Sequence, residues 1–264
     1  MEIISGTRAL VTGANGGIGQ AIARALRAAG ADVVVSGRRA DALQPLAAAI
    51  GARVVVADLA DRASVVRCME EAGPIDVLVA NAGLPASGPL LGFDPEQIDR
   101  ALDVNLRAPI VMARHAAAGM RERARGQIVF ISSISGKVAG PGTSIYSATK
   151  FGLRGFSLGL REDLHGTGVG VTTIFPGFIR DAGMFADTKV VLPRGAGTRT
   201  PDDVARAVLR AIRDDPAEIT VAAVEQSFGA LLAGVSHPLV ASLQRMLGGE
   251  KVAKEIAAAQ ARKR

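Results

Sequence analysis

The chain has 264 residues, of which 48% are hydrophobic, 21% charged and 3% aromatic, and its formal net charge is +6; this length and apolar content predict one α/β domain with a substantial core. The single cysteine, Cys68, excludes an intrachain disulfide and favours a cytoplasmic location, and no transmembrane segment is expected because no run of about 18 apolar residues occurs. The positive charge could attract nucleic acid, but the absence of tryptophan and the single tyrosine argue against base stacking, so we expect no nucleic-acid partner.

Short apolar runs rich in β-branched residues alternate with longer helical patterns along most of the chain. The predicted strands are residues 8–12, 32–36, 53–57, 76–81, 127–132, 169–175 and a short last strand at 219–221. The helical stretches between them include residues 18–29, 61–72, 95–123 and 145–166. Continuously apolar strands joined by helical crossovers predict an α/β fold with a doubly wound parallel sheet, the Rossmann fold, of about seven strands flanked by helices.

The first predicted strand leads into a glycine-rich turn and then an amphipathic helix. Glycines at such a turn permit positive φ angles and let a pyrophosphate approach the positive end of the helix. An ordinary tight turn is the alternative, which the position after the first strand disfavours. The candidate cofactor-binding residues of this turn are Gly13, Asn15, Gly16, Gly17, Ile18 and Gly19.

The second predicted strand ends in Ser36-Gly37-Arg38-Arg39, without the acid that binds the ribose 2′-hydroxyl of NAD. A guanidinium at this position pairs with a 2′-phosphate through forked hydrogen bonds. Two solvated loop charges are the alternative. Arg38 and Arg39 therefore predict that NADP(H) is preferred, with NAD(H) still possible.

Tyr146 and Lys150 lie four residues apart at the start of a predicted helix, so both side chains share one helical face. A nearby ammonium favours phenolate, which predicts a Tyr146 pKa below its ordinary value of about 10. A surface pair is the common alternative. Ser133, thirteen residues before Tyr146, ends the fifth predicted strand and brings a hydroxyl to the same sheet edge.

Together and in this order, these motifs resemble the short-chain dehydrogenase/reductase family in its standard single-domain form. The resemblance covers residues 5–222 and also rests on Asp58-Leu59, Asn81-Ala82-Gly83, Asn105 and Pro176-Gly177. It implies hydride transfer between a nicotinamide and the carbonyl or alcohol carbon of a small, mostly apolar substrate. Residues 1–222 would then form the dinucleotide-binding and catalytic domain, and residues 223–264 a helical extension packed on it.

The resemblance also assigns roles to four residues. Tyr146 donates or removes the proton, Ser133 binds the reacting oxygen, and Lys150 lowers the Tyr146 pKa and holds the nicotinamide ribose. Asn105 anchors a water that relays protons, although a structural asparagine within a helix is the competing interpretation. The further cofactor contacts that the resemblance implies are Asp58, Leu59, Asn81, Ala82, Gly83, Pro176, Gly177 and Ile179.

Some features depart from the family pattern or leave alternatives open. Asp181 stands where the family usually has a threonine that binds the nicotinamide carboxamide, so its role is left open. The three histidines, His115, His165 and His237, are isolated, and we expect no metal. A homodimer or homotetramer is expected from the resemblance. A catalytically silent NADP(H)-binding regulator is the alternative function, against which the intact catalytic set argues.

The chain is irregular between residues 176 and 200, which predicts a long mobile connection near a site. Helix resumes at residues 201–214, with Thr200 as N-cap and Pro201 as the first helical residue. Apolar residues recur at helical spacing in the extension and predict packing on the body or on a neighbouring subunit, a peripheral membrane anchor being the alternative. They are Phe228, Leu231, Leu232, Val235, Leu239, Leu243, Met246 and Leu247.

Overall fold

The structure is a computed structural model and describes residues 1–3, 5–190, 197–236, 238, 240, 242 and 249–261. In the described residues, one parallel sheet has the strand order β3-β2-β1-β4-β5-β6-β7. The strands are β1 (Arg8–Thr12), β2 (Asp32–Gly37), β3 (Arg53–Val56), β4 (Val77–Ala80), β5 (Gly126–Ile131), β6 (Val169–Pro176) and β7 (Glu218–Val221). The predicted doubly wound parallel sheet is confirmed. The strand order reverses between β1 and β4, which opens a crevice at their carboxyl ends.

Helices cover both faces of the sheet and bury its apolar side chains. They are α1 (Gly17–Ala28), α2 (Ala40–Ile50), α3 (Arg62–Ala72), α4 (Pro95–Leu102), α5 (Ala108–Glu122), α6 (Ser144–Asp163), α7 (Pro201–Asp214), α8 (Val224–Val235) and α9 (Gly249–Gln260). One core cluster joins α1, α2 and α7 to the sheet through residues such as Ile22, Leu43 and Val208. The other joins α3, α5 and α6 to the opposite face.

The helix predicted over residues 95–123 is not continuous. It is divided by a π-helical turn at Asp103–Arg107, which separates α4 from α5. Pro109 explains the interruption, because proline has no N–H and its ring would clash with the carbonyl of Asn105 in a regular α-helix. The widened turn carries Asn105 at its centre and so gives this residue a backbone setting that a regular helix lacks.

The start of α7 agrees with the sequence prediction, whereas the predicted mobile connection is described only in part, because residues 191–196 lie outside the described residues. Thr200 caps α7 by accepting a hydrogen bond from the Asp203 N–H, and Pro201 is the first helical residue. Between residues 176 and 190 the chain is irregular apart from a short 3₁₀ turn at Ala186–Thr188.

The apolar stripes predicted for the extension are described only in part. Phe228 and Leu231 on α8 are 64% and 71% exposed, so these two side chains do not pack on the body of the same chain. Packing on a neighbouring subunit stays a prediction. The predicted positions at Leu239, Leu243, Met246 and Leu247, His237 and the side chain of Val235 lie outside the described residues. No described helix is long and apolar enough to cross a membrane.

Candidate active site

The glycine-rich turn is fastened to the end of β4 by Thr12 and Asn81. The Thr12 hydroxyl accepts hydrogen bonds from the main-chain N–H groups of Asn81 at 3.1 Å and Ala82 at 3.0 Å. In return, the Asn81 side-chain amide donates to the carbonyl oxygens of Thr12 at 2.8 Å and Gly13 at 3.3 Å. These four bonds satisfy main-chain groups at two neighbouring strand ends and fix the shape of the turn.

Two glycines are required by the close packing of this turn. Gly13 has φ +63°, and a Cβ atom there would lie 2.8 Å from Cα of Ala82. A Cβ atom on Gly19 would clash with the Gly13 carbonyl oxygen. Helix α1 begins after Gly16 without a side-chain cap or an acidic residue in its first turn. Its positive end therefore has neither a capping side chain nor a carboxylate beside it, which favours an anion, as the predicted pyrophosphate site requires.

The ends of β2 and β3 carry the other residues predicted for the nucleotide half of the cofactor. Arg38 and Arg39 are exposed directly after β2. Asp58 follows β3, where its Oδ1 accepts a hydrogen bond from the Ala60 N–H at 3.0 Å and its Oδ2 lies 3.8 Å from the Arg100 guanidinium. Leu59 beside it is buried. The carboxyl edge thus brings these residues to the same side of the sheet as the glycine-rich turn.

Ser133, Tyr146 and Lys150 meet at the carboxyl end of β5. Ser133 is held in extended backbone just after the strand, and its hydroxyl hydrogen-bonds the Tyr146 phenol. Tyr146 lies in the first turn of α6, and Lys150 follows one turn later with its Nζ 5.6 Å from the Tyr146 ring centroid. Nζ of Lys150 donates to the Ile131 carbonyl oxygen at 3.1 Å. A hydroxyl, a phenol and an ammonium therefore converge, as the residue spacing predicts.

The prediction that the Tyr146 pKa lies below 10 is wrong for this structure. Burial of the phenol raises the pKa of Tyr146 to about 12, and the hydrogen bond with Ser133 offsets only part of that rise. Burial also lowers the pKa of Lys150 to about 8. Both shifts have one physical cause, because loss of water disfavours the charged form of each group. The charge of Lys150 is evident from residue spacing, whereas the burial of both groups depends on tertiary packing.

Asn105 is fully buried and its side chain is bonded to the main chain of Leu84. Its Oδ1 accepts from the Leu84 N–H at 2.7 Å, and its Nδ2 donates to the Leu84 carbonyl at 2.9 Å. A Cβ atom on Gly83 would lie 3.3 Å from Oδ1 of Asn105. Asn105 therefore fixes the loop after β4, which is the structural role weighed for it. The water relay stays a prediction.

The segment after β6 brings Pro176, Gly177 and Ile179 to the same edge. Pro176 and Ile179 are buried, and Ile179 pairs with Arg199 in an isolated parallel bridge. A Cβ atom on Gly177 would lie 2.8 Å from Cβ of Ala222, so the chain passes close to the end of β7. Asp181 has φ +71°, is 65% exposed at its side chain and lies 3.5 Å from Nε of Arg180.

Four residues near this site are not among the catalytic and cofactor-binding residues predicted from the sequence. Ala182 lies against Gly17, Met184 lies beside Gly83, and Gln226 and Gln260 bind main-chain groups of the connection after β6. No sequence pattern marks Gln260, because the residue that it contacts, Met184, lies 76 positions away along the chain. In the described residues, no group of three or more His, Cys, Asp or Glu side chains could hold a metal ion.

Comparisons with known proteins agree with this geometry. The family model described as short chain dehydrogenase matches residues 7–190. Ketoacyl reductase HetN of Nostoc sp. is 35% identical over 84% of this chain and 80% of its own length. The 3-oxoacyl-(acyl-carrier-protein) reductase FabG of Rickettsia conorii is 34% identical over 87% of this chain and 98% of its own length.

A solved structure shows the same likeness in three dimensions. The closed form of serine dehydrogenase complexed with NADP+ superimposes with a TM-score of 0.72 and 33% identity, over 81% of this chain and 93% of that one. The sequence likeness and the superposition of the fold agree with each other. The protein therefore belongs to the short-chain dehydrogenase family and is an oxidoreductase acting on CH–OH or C=O groups.

Proposed function

We propose that the chain is an NADP(H)-dependent oxidoreductase that interconverts a carbonyl and an alcohol on a mostly apolar small molecule. The observation that carries the proposal is the convergence of Ser133, Tyr146 and Lys150 beside the glycine-rich turn, at one carboxyl edge of the sheet. A proton donor and a cofactor cradle at the same edge are the two parts that hydride transfer to a carbonyl requires.

The residues at this edge fit a dinucleotide. Gly13 and Gly19 keep the turn free of side chains, and the uncapped end of α1 favours the pyrophosphate through residues 13–19. Asp58 and Leu59 would line the adenine, and residues 81–83 the middle of the cofactor. Residues 176, 177 and 179 would line the nicotinamide, and Lys150 would hold its ribose. The bound nicotinamide supplies or accepts the hydride.

The proton is handled by Tyr146. With a pKa of about 12 its phenol is protonated at neutral pH and can donate to a carbonyl oxygen. Ser133, which hydrogen-bonds the phenol, would donate a second hydrogen bond to the same oxygen as negative charge develops there. The Lys150 ammonium would stabilise the phenolate that forms when Tyr146 gives up its proton.

The preference for NADP(H) rests on the exposed Arg38 and Arg39 directly after β2. We expect NADPH to bind more tightly than NADH, and Arg38→Asp to weaken NADPH binding by about 1–3 kcal/mol through loss of charge-assisted bonds. Binding measured by the fluorescence of the reduced cofactors tests this. Arg24→Asp is the matched control, because Arg24 is an exposed arginine about two turns along α1. Equal affinity for NADPH and NADH would contradict the preference.

The names of two relatives suggest which substrate class to test first. HetN and FabG are named as reductases of ketoacyl groups, so a 3-oxoacyl thioester is the first member of a carbonyl panel to be offered with NADPH. Phe178 and Phe185, whose rings lie 4.7 Å apart, offer an apolar wall. Oxidation of NADPH that depends on a carbonyl compound and is lost in Tyr146→Phe supports the enzyme. Binding of NADPH without turnover on the whole panel favours the silent regulator.

We also propose a homodimer or homotetramer in the cytoplasm. A groove between α5 and α6 exposes apolar side chains that include Ile110, Ala118, Phe156 and Leu160. Exposed apolar patches on helices favour association of identical subunits. Light scattering of the 27.1 kDa chain should therefore give a particle of at least twice that mass, and Ala118→Arg should reduce it. A particle of one chain mass at micromolar concentration would contradict assembly.

A further inference from the structure

The segment of residues 181–188, here called the cover segment, lies on the glycine-rich turn. A Cβ atom placed on Gly17 would overlap Cβ of Ala182, so Ala182 rests directly on the main chain of Gly17. The next residue, Gly183, packs against the side chain of Ile18, whose Cδ1 would lie 3.3 Å from a Cβ atom at Gly183. The first turn of α1 has no capping side chain and so favours an anion. In this structure, residues 182 and 183 of the same chain cover it.

Met184 extends the cover toward the catalytic residues. A Cβ atom on Gly83 would lie 3.3 Å from Cε of Met184 and 3.8 Å from Nζ of Lys150. The Met184 methyl group and the Lys150 ammonium therefore both lie close to Gly83 at the end of β4. In the proposed function this is where Lys150 holds the nicotinamide ribose, while the pyrophosphate lies at Gly17. Ala182 and Met184 therefore lie at the two places where the proposed function puts the pyrophosphate and the nicotinamide ribose.

Helix α9 holds the cover segment in this position. Gln260, which is 6% exposed, donates from Nε2 to the carbonyl oxygen of Met184 at 3.2 Å. Ala257, one turn earlier, is also 6% exposed, and α9 packs against the turn Ala186–Thr188. Oε1 of Gln260 is buried without a hydrogen-bond partner in the described residues. Because an unpaired buried oxygen costs free energy, breaking this contact is cheaper than breaking a fully satisfied one.

Gln226 on α8 fixes the base of the same connection. Its Oε1 accepts from the Phe178 N–H at 3.2 Å, and its Nε2 donates to the Gly197 carbonyl at 2.7 Å. One side chain therefore ties together the residues on either side of the connection. Asp181 and Gly183, at the start of the cover segment, both have positive φ angles, of 71° and 96°. Because Phe178 is held by Gln226 and the backbone at Asp181 and Gly183 is left-handed, we place the hinge of the cover segment at residues 181–183.

We propose that Gln260 is a positioning residue through which α9 holds the cover segment over the nicotinamide half of the cleft, so that the dinucleotide enters by breaking the Gln260–Met184 contact. The proposal rests on the proposed function, because it takes the ligand of the cleft to be a nicotinamide dinucleotide. Gln226 keeps the chain at Phe178 and Gly197 in place while the cover segment moves. The C-terminal extension thereby weakens cofactor binding in the closed form.

The first test is NADPH affinity in the full-length protein. Gln260→Ala should lower the NADPH dissociation constant about 2- to 10-fold and speed association, because a competing hydrogen bond is removed. Lys254→Ala is the matched control: Lys254 is exposed on the same helix, and losing its positive charge would weaken binding of an anion. Unchanged or weaker NADPH binding by folded Gln260→Ala would overturn the proposal.

Hydrogen exchange gives a readout that a merely structural role of Gln260 would not produce. NADPH added to the wild-type chain should slow exchange at residues 13–19 and speed it at the C-terminal turn of α9, since cofactor and α9 compete for the cover segment. Slower exchange at both places would overturn the proposal even if Gln260→Ala failed to fold. If no nicotinamide dinucleotide binds, the proposed function fails. If NADPH binds and turns over while α9 gains protection, only the present proposal fails.

Discussion

Nζ of Lys150 donates a 3.1 Å hydrogen bond to the main-chain oxygen of Ile131, the last residue of β5. This hydrogen bond holds the ammonium at the carboxyl end of β5, two residues before Ser133. It lies 5.6 Å from the ring centroid of Tyr146, and both side chains are desolvated. This places two groups of opposite acid–base character in one dry pocket, where burial disfavours the charged form of each.

The first prediction is that the Tyr146 phenol stays protonated up to about pH 11 in the folded protein. Burial raises its pKa to about 12, and Tyr146 is the only tyrosine in a chain without tryptophan, so absorbance near 295 nm reports this phenol alone. Titration of the folded protein should show no transition below about pH 11, whereas the urea-unfolded chain should titrate near 10.

Two variants control this titration. Tyr146→Phe should abolish the signal in both states. Ser133→Ala should shift the midpoint further upward, because the bond from Ser133 lowers the pKa of Tyr146. A transition centred below pH 10, in protein whose circular dichroism is native, would mean that the Lys150 charge outweighs burial.

The second prediction concerns the pH dependence of the two reaction directions. Carbonyl reduction needs phenol at Tyr146 and a charged Lys150, and the pKa of Lys150 is lowered to about 8 by burial. The kcat for reduction should therefore be steady below about pH 8 and fall above it. Alcohol oxidation needs the phenol proton removed, and because the Tyr146 pKa is about 12, its kcat should still be rising at about pH 10. Initial rates in both directions test this, and a reduction rate that falls from pH 8 to pH 6 would contradict it.

The strand ends and the residues that follow them could be predicted from the sequence. Glycines after β1, a serine after β5 and a Tyr–Lys pair on α6 are local patterns, and the parallel sheet brings strand ends to one edge whatever the details of packing. The π turn at Asp103–Arg107 was missed because its residues keep a helical pattern and only the ring of Pro109 forces the wider turn.

The contacts over the cleft could not be predicted in the same way. Gln260 and Met184 are 76 residues apart, and no periodicity in the sequence relates one to the other. The direction of the Tyr146 pKa was missed for a related reason, since it depends on how completely distant elements exclude water from the phenol. Residue spacing predicts which groups approach one another. Tertiary packing sets how far each group is buried, and so its pKa and charge.

A third prediction addresses the Thr12 hydroxyl, which accepts two main-chain hydrogen bonds at the end of β4. Thr12→Val keeps the shape of the side chain but leaves the N–H groups of Asn81 and Ala82 without this acceptor. The free energy of unfolding should fall by about 1–3 kcal/mol, and NADPH binding should weaken because the turn loosens.

Thr172→Val is the matched control for that change. Thr172 is also a buried strand threonine, but its hydroxyl binds the Pro216 carbonyl and Gln127, away from the carboxyl edge. It should lower the free energy of unfolding in urea and leave the NADPH dissociation constant unchanged. Equal losses of NADPH affinity in both variants would show that the Thr12 contacts have no particular role in the turn.

The last prediction is that Lys150→Met stabilises the fold at neutral pH while abolishing turnover. Burial lowers the pKa of Lys150 from 10.5 to about 8, which corresponds to about 3 kcal/mol of unfavourable desolvation when the ammonium is charged. Methionine fills a similar volume without a charge. After allowing for the lost bond to Ile131, the free energy of unfolding at pH 7 should rise by about 1–3 kcal/mol.

The pH dependence distinguishes this cause from better packing alone. Between about pH 8 and 10.5 the unfolded chain keeps the Lys150 proton that the folded chain has lost, so the wild type gains stability as pH rises through this window. The difference in free energy of unfolding between Lys150→Met and the wild type should therefore shrink toward about pH 10. Above that pH, ionisation of Tyr146 in the unfolded chain lowers the stability of the folded protein. Lys254→Met, at an exposed position, should show neither the gain nor the slope. Urea unfolding at about pH 7 and pH 9.5 measures both, and an advantage that is absent at pH 7 or equal at the two values would refute a desolvated Lys150.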